Sequence, residues 1–205
     1  MKQLLQSIET LKKSKVKKLV DFRIKEFENK KTDKKIFNEL CFCLLTANFN
    51  AERSIKIQEN IKDGFSNFTK QKLLKKLKEL GHRFPNARAK YILEARKHKN
   101  SLKNNLKKLQ ESEIREWLIK NVNGLGMKEA SHFLRNIGFK NSAIIDFHII
   151  DILAKHKLIQ RPKTLTKKKY LEIENSLKKL AEKSKLTLAE LDLYLWCLET
   201  GKILK

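Results

Sequence analysis

Apolar residues recur every three or four positions along most of this chain, which is the period of an amphipathic α-helix. Strand signals are weak throughout, and the 205 residues include only six glycines and two prolines. The sequence therefore predicts an all-α fold. The predicted helical segments are 3–30 (one helix or a helix pair), 35–47, AERSIKIQENI after the loop or helix-start signal Asn48-Phe49-Asn50, 70–80, 86–98, 111–121, 128–137, a segment after Asp146, 168–183 and 187–200.

Two of these segments carry further signals. The run from Lys35 to Ala47 is apolar nearly all round, which is typical of a central helix packed on several sides. The last segment begins after Thr187 and has Glu190 three residues later, which predicts a capping box.

The net charge of the chain indicates the class of partner that it binds. It has 47 Lys and Arg against 23 Asp and Glu, a net charge of +24 spread from Lys2 to Lys205. A basic folded body indicates a polyanionic partner, and nucleic acid is the leading candidate. No run approaches the roughly 18 apolar residues that span a bilayer, and the start lacks the features of a signal peptide, so we expect a cytoplasmic protein without membrane contact.

Cysteines and histidines give no sign of a metal or cofactor. Cys41, Cys43 and Cys197 have no CxxC spacing, and the five histidines form no HxH or HxxxH pair. We expect buried, reduced thiols, no bound metal and no cofactor.

The most informative segment is 111–153. It predicts two helices whose apolar faces pack together, joined by Asn123-Gly124-Leu125-Gly126. Two glycines permit positive φ angles and leave backbone N–H groups uncovered at a helix start. Such N–H groups bind anions, so the turn is a candidate site for a DNA phosphate.

With Val122 in front of the turn, Lys128 just after it and Asp146 eighteen residues later, the sequence resembles the helix-hairpin-helix DNA glycosylase superfamily. Further similarity in LLTANFNAERSIKI, GHRFPNARAKYI and LDLYLWCLETGKILK makes it similar to the type-2 8-oxoguanine DNA glycosylase/lyase family of archaea and some bacteria, over roughly residues 35–205. The four-cysteine cluster of endonuclease-III-like relatives is missing from the sequence, which argues against those enzymes.

The resemblance implies two helical subdomains flanking a cleft, with the hairpin at their junction. Residues 32–122 would form a six-helix barrel, and residues 1–31 and 123–205 would form a discontinuous terminal subdomain that carries the turn, the lysine and the base-pocket helix.

The resemblance also implies the chemistry. Lys128 would attack C1′ of the damaged nucleotide, form a Schiff base and open the way to β-elimination. Its amine must be neutral to attack, and a position at a helix N-terminus of a cationic protein favours loss of the proton. Asp146 would stay ionised beside C1′ and stabilise the positive charge that develops on the sugar. From each residue alone, Lys128 is better explained as a solvated lysine and Asp146 as a helix N-cap; the hairpin and the spacing between the two residues favour the catalytic roles.

Other candidate residues have alternatives that the sequence leaves open. Gly124, Gly126 and His148 are candidates for DNA-backbone binding, and His148 is equally explained as a partly buried helix histidine. Asp192 and Trp196 share one face of a helix and are candidates for the base pocket, or else a surface charge and a core tryptophan. Phe84 is a further pocket candidate, as a stacking or wedge residue, and is equally explained as a loop residue; by the resemblance, Lys205 is also a pocket candidate. Asn48 is the candidate for filling the gap opposite the lesion, or it caps a helix.

The sequence therefore predicts a monomeric, bifunctional DNA glycosylase/AP lyase that excises 8-oxoguanine from double-stranded DNA. The alternatives are a bifunctional glycosylase for another oxidised base, and a non-catalytic helix-hairpin-helix protein that binds DNA through phosphates only.

Overall fold

The computed structural model describes residues 1–29 and 31–205, so the predicted end of the first helical segment at Lys30 lies outside the described residues. A single turn of 3₁₀-helix at Arg96–His98 accompanies the α-helices. The α-helices are α1 Lys2–Lys12, α2 Val16–Glu28, α3 Asp33–Thr46, α4 Ala51–Ile61, α5 Gly64–Asn67, α6 Lys70–Glu79, α7 Pro85–Ala95, α8 Leu102–Lys107, α9 Glu111–Asn121, α10 Met127–Asn136, α11 Phe147–Lys155, α12 Lys167–Ser184 and α13 Leu188–Thr200.

No strand occurs in residues 1–29 or 31–205, so the predicted all-α fold is confirmed. The first segment is a helix pair, α1 and α2, rather than one helix. The sequence pattern missed α5 and α8, because helices of four and six residues are too short to show a repeated apolar face.

The threonine signal sets the start of α13 as predicted. Thr187 and Glu190 form the capping box: the Thr187 hydroxyl accepts from the Glu190 N–H at 3.2 Å, and the Glu190 carboxylate accepts from the Thr187 N–H at 2.7 Å. Gly201 ends the helix in the left-handed conformation, with φ at 72°. Three other helices, α3, α6 and α12, likewise begin after a threonine whose hydroxyl caps the first turn.

The chain divides by its internal contacts into two units. Unit 1 consists of Met1–Asn29 and Leu134–Lys205, and unit 2 of Lys30–Phe133. This division groups the hairpin turn with unit 2, whereas the resemblance assigns it to the terminal subdomain. The barrel boundaries of 32–122 stay a prediction.

Helix α3 forms the centre of unit 2, as its apolar sequence predicts. Its residues from Leu40 to Leu45 are without solvent exposure, and both Cys41 and Cys43 are core residues with free thiols. Burial raises the pKa of the Cys41 thiol well above its usual value, so this cysteine stays protonated.

Unit 1 has its own core. Val20 and Phe27 of α2 pack with Leu193 and Tyr194 of α13, and burial raises the pKa of Tyr194 to about 12. The last helix is therefore fixed by apolar contacts with the first part of the chain. In the described part of the chain, no helix is both long and apolar enough to cross a bilayer.

Candidate active site

Helices α9 and α10 form the hairpin in unit 2. The predicted apolar faces are buried, with Ile114 and Leu118 on α9 and Ala130 and Phe133 on α10 at no exposure. A polar contact also joins the two helices, because the buried Arg115 guanidinium donates to the Ser131 hydroxyl at 3.4 Å. The turn is thus held by a rigid pair of helices.

Gly124 is the residue that shapes the turn. Its φ of +90° is a conformation that other residues rarely adopt, and a Cβ atom there would lie 2.4 Å from Cδ2 of Tyr91. Beside it, the Asn123 side-chain amide donates to the Glu94 carboxylate at 2.9 Å. Helix α7 therefore contacts the turn through Tyr91 and Glu94 and helps to fix its conformation.

Gly126 differs from Gly124 in its backbone conformation, and its N–H has a partner. Its φ lies outside the left-handed region, and its N–H donates to Oε2 of Glu129 at 3.2 Å. The prediction that this N–H is uncovered is wrong, because the carboxylate of Glu129, the third residue of α10, folds back over it as in a capping box.

Lys128 lies in the first turn of α10, with about a quarter of its side chain exposed. Its Nζ is 3.6 Å from Oε1 of Glu129, whose side chain is 15% exposed. One carboxylate thus contacts both the candidate nucleophile and a backbone donor of the candidate phosphate site. Lys128, Gly124 and Gly126 all lie within five residues of one turn, as the sequence predicted.

Asp146 and His148 lie in unit 1, at the start of α11. The Asp146 carboxylate caps that helix by accepting the Ile149 N–H at 3.0 Å, which leaves its other oxygen outside this bond. Asp146 is half-buried. Its role as an N-cap is confirmed, and a catalytic role stays a prediction, since one carboxylate can do both.

Three aromatic rings form a cluster at the same end of α11. The His148 ring lies edge-on to Trp196, with centroids 4.8 Å apart, and Phe147 lies 4.0 Å from His148 on the other side. Trp196 is half-buried, and its indole Nε1 has no hydrogen-bond partner among the described residues. The structure thus brings together a predicted backbone-binding residue and a predicted pocket residue.

Asp192 is not a surface charge. It is 9% exposed and forms an ion pair with Arg135, which is itself 5% exposed. The remaining Arg135 donors Nε and Nη2 bond to the Asn136 amide oxygen, and the guanidinium lies over the Phe27 ring. A buried charge pair with these further contacts fixes the face of α13 that carries Trp196 one turn later.

Asn48 and Phe84 lie in two loops of unit 2. Asn48 is exposed and has a positive φ of 53°, which asparagine adopts more readily than most residues. Phe84 precedes α7 and is 37% exposed. The cap of α4 is Asn50 rather than Asn48: its side chain accepts the Arg53 N–H at 3.0 Å. The helix-cap alternative for Asn48 is therefore wrong.

Lys205 ends the short segment that follows α13 and is half-buried. Its predicted contact with a base stays a prediction. No cluster of three or more His, Cys, Asp or Glu residues able to hold a metal ion occurs in residues 1–29 and 31–205.

Sequence reasoning missed four residues that organise these sites: Tyr91, Glu129, Arg135 and His82. Glu129 carried a readable signal, because a glutamate three residues after a helix start is half of a capping box. The other three act through contacts between residues far apart in sequence, which no local pattern reveals.

Comparison with known proteins identifies the class and then the family. The crystal structure of Methanocaldococcus jannaschii 8-oxoguanine glycosylase/lyase with a 15mer DNA containing 8-oxoguanine matches 99% of this chain and all of that chain, with a TM-score of 0.96 and 49% identity. The Thermotoga maritima 8-oxoguanine DNA glycosylase matches all of this chain and 99% of that chain, with a TM-score of 0.94 and 42% identity. The fold is thus that of a DNA glycosylase.

The sequence comparisons agree. The profile of the 8-oxoguanine DNA glycosylase family matches residues 20–186. The 8-oxoguanine DNA glycosylase/AP lyase of Korarchaeum cryptofilum is 48% identical over 204 residues, which are 98% of each chain. This chain therefore belongs to the 8-oxoguanine DNA glycosylase family, and the resemblance inferred from the hairpin, Lys128 and Asp146 is confirmed at the level of the family.

Proposed function

We propose that this chain removes 8-oxoguanine from double-stranded DNA and cleaves the strand at the resulting site. The observation that carries the proposal is the match over the whole chain to the M. jannaschii enzyme crystallised with 8-oxoguanine DNA. The net charge of +24 supports the same substrate, because phosphate neutralisation supplies much of the affinity of DNA-binding proteins. With DNA as substrate, we propose that the protein works in the cytoplasm, at the nucleoid.

Lys128 is the proposed nucleophile. Its nitrogen forms a bond to C1′ while the bond from C1′ to the base breaks, and the base leaves with the electron pair. The C1′–O4′ bond then breaks, the nitrogen loses a proton while O4′ takes one up, and the resulting Schiff base acidifies the C2′ hydrogen. Proton loss at C2′ expels the 3′ phosphate and nicks the strand. The position of Lys128 next to a glycine turn supports this role, since a DNA backbone can approach that turn closely.

Asp146 is the proposed electrostatic partner of this reaction. One of its oxygens is committed to the Ile149 N–H, which holds the carboxylate in a fixed orientation. A negative charge beside C1′ stabilises the positive charge on the sugar as the base departs. Asp146→Asn would keep the cap and remove the charge, so a loss of excision with unchanged stability would support this role.

The DNA backbone contacts are proposed at Gly124, Gly126 and His148. At the turn, a phosphate would compete with the Glu129 carboxylate for the Gly126 N–H. His148 lies against the exposed Phe147 and near the start of α11, a helix N-terminus that favours negative charge. Asn48 is the proposed residue that enters the gap opposite the lesion.

The base pocket is proposed to use Trp196, Asp192, Phe84 and Lys205. Trp196 is a half-buried aromatic side chain beside His148, and the exposed part of its ring is suited to stack on a flipped purine. Stacking of a base on an aromatic ring contributes about 1–3 kcal/mol. Trp196→Leu is therefore expected to slow excision of 8-oxoguanine while strand cleavage at a preformed abasic site, which has no base to stack, continues.

Borohydride trapping tests the proposal and separates it from its alternatives. Three duplexes are used, carrying 8-oxoguanine opposite cytosine, thymine glycol opposite adenine, or no lesion. The proposed enzyme forms a covalent complex with the first duplex at the highest rate. A glycosylase for oxidised pyrimidines would prefer the second duplex, and a protein that only binds phosphates would form no covalent complex with any of them.

A further inference from the structure

A buried histidine joins the two loops that carry Asn48 and Phe84. We define the wedge loops as residues 47–50, between α3 and α4, and residues 81–84, before α7. His82 is 4% exposed, and its ring lies 4.2 Å from the Phe49 ring. The ring therefore lies between the two loops rather than on the protein surface.

Both nitrogens of the His82 ring bond to backbone groups, one on each side. Nδ1 accepts the Phe84 N–H at 3.0 Å, so Nδ1 carries no hydrogen. Nε2 then carries the hydrogen and donates to the Leu45 carbonyl at 3.0 Å, at the end of α3. One neutral side chain thus links the end of α3 to the backbone of Phe84.

Arg88 makes a second link between the same loops. Its Nη2 donates to the Ala47 carbonyl at 2.5 Å, and its guanidinium lies 5.7 Å from the centre of the Phe84 ring. The Ala47 carbonyl belongs to the peptide directly before Asn48, whose φ of 53° needs support from its surroundings. Arg53 adds a third link by donating to the Gly81 carbonyl at 2.7 Å.

We propose that His82 is a positioning residue that makes the wedge loops act as one unit when the enzyme opens a base pair. The inference rests on the proposed role of Asn48 in the gap opposite the lesion, and it assigns the wedge role to Phe84, a stacking or wedge candidate by its sequence. Flipping a damaged base costs free energy for unstacking and unpairing, and a misplacement of about 1 Å in a group that must be positioned for the reaction is costly. His82 bonds both to the end of α3 and to the Phe84 backbone, and together with the Arg88 and Arg53 bonds it sets the spacing of the wedge loops before DNA arrives.

Two substitutions of His82 separate its two bonds. His82→Asn retains an acceptor that reaches the N–H two residues later, as in an Asx turn, but it is too short to reach Leu45. His82→Gln is long enough to donate to the Leu45 carbonyl. We expect the bond between residue 82 and the Leu45 carbonyl to be lost in His82→Asn and largely restored in His82→Gln.

The substrates isolate base-pair opening from the rest of the reaction. One duplex carries 8-oxoguanine opposite cytosine, and the other carries it opposite an abasic analogue, where no pair has to be opened. We expect His82→Asn to slow single-turnover excision by about 10-fold on the first duplex, with little change on the second. His82→Gln should recover most of the rate. His156 directly follows the last residue of α11 in unit 1, and His156→Asn is the control that should change neither rate.

A purely structural role for His82 predicts a different result. A loosened fold would slow both duplexes by the same factor, and this outcome, or no change on either, would overturn the proposal. Rates are compared at a temperature where thermal unfolding shows every variant to be folded.

Combining substitutions of Asn48 and Phe84 tests directly whether these two residues act together. In the parent protein, Asn48→Ala and Phe84→Ala together should slow opening of the pair by less than the product of their separate effects, because the loops act jointly. In His82→Asn, the two effects should multiply. If neither alanine variant alters the ratio between the two duplexes, the wedge does not exist and the inference fails, whereas trapping on 8-oxoguanine by the parent protein would still support the proposed function.

Discussion

The hairpin turn and the wedge loops are both proposed to face DNA, yet they are held in place in different ways. The turn depends on local backbone geometry: Gly124 adopts a positive φ, and Glu129 caps the Gly126 N–H three residues away. The wedge loops depend on side chains from distant positions, with His82 bonded to Leu45 and Arg88 bonded to Ala47. A turn built by glycines can be found in a sequence, and a pair of loops joined by buried polar side chains cannot.

The largest expected effect lies at the hairpin. Lys128→Gln should lower trapping and strand cleavage by more than about 10³-fold, because the covalent route is lost with the nucleophile. The fold should be unchanged, since the side chain is partly exposed and its recorded ion pair is with Glu129. Lys120→Gln, an exposed lysine of the neighbouring helix, is the matched control. Retained trapping in Lys128→Gln would remove the hairpin from the chemistry.

Gly124→Ala tests whether the turn is rigid because of its backbone. We expect a loss of about 1–3 kcal/mol in the free energy of unfolding, measured by denaturant titration, because of the positive φ and the clash with Tyr91. In a Tyr91→Ala background, only the part due to φ should remain, so the cost of the same substitution should be smaller. An equal cost in both backgrounds would show that Tyr91 does not constrain the turn.

The wedge loops should be more sensitive to acid than the turn. Burial lowers the pKa of His82, with Arg88 and Arg53 adding to the shift, so the folded state resists a proton that the unfolded state accepts. Stability from this group is complete above the usual histidine pKa of about 6.5 and is lost as the pH falls from there toward the folded-state pKa. Denaturant midpoints between pH 7.5 and 5.5 should fall less steeply in His82→Gln. Identical slopes would contradict the assignment.

The smallest expected effect again belongs to the hairpin. Glu129→Gln keeps a side-chain oxygen that can accept the Gly126 N–H but removes a negative charge from the candidate phosphate site. We expect uncleaved duplex to bind about twofold to fivefold more tightly at low salt, with the difference shrinking as salt is added. Weaker binding would show that the carboxylate organises the turn for DNA rather than competing with it.

The features that local sequence patterns determine were predicted from the sequence. The all-α fold, the Thr187 capping box, the hairpin at 123–126 and the cap formed by Asp146 follow from apolar spacing and from glycine, threonine and aspartate signals. It did not predict that Arg135 pairs with Asp192, because these residues are 57 positions apart and each alone suggests a surface charge. The same holds for His82, whose bond to Leu45 depends on the packing of α3 against the segment before α7.

The covalent bond between enzyme and DNA is the most direct test of the whole account. The complex trapped by borohydride on a duplex with 8-oxoguanine opposite cytosine can be digested and its cross-linked peptide sequenced by mass spectrometry. We predict a single adduct on the nitrogen of Lys128. An adduct on any other residue, or a failure to form one on this duplex, would contradict the assignment of Lys128 as the nucleophile.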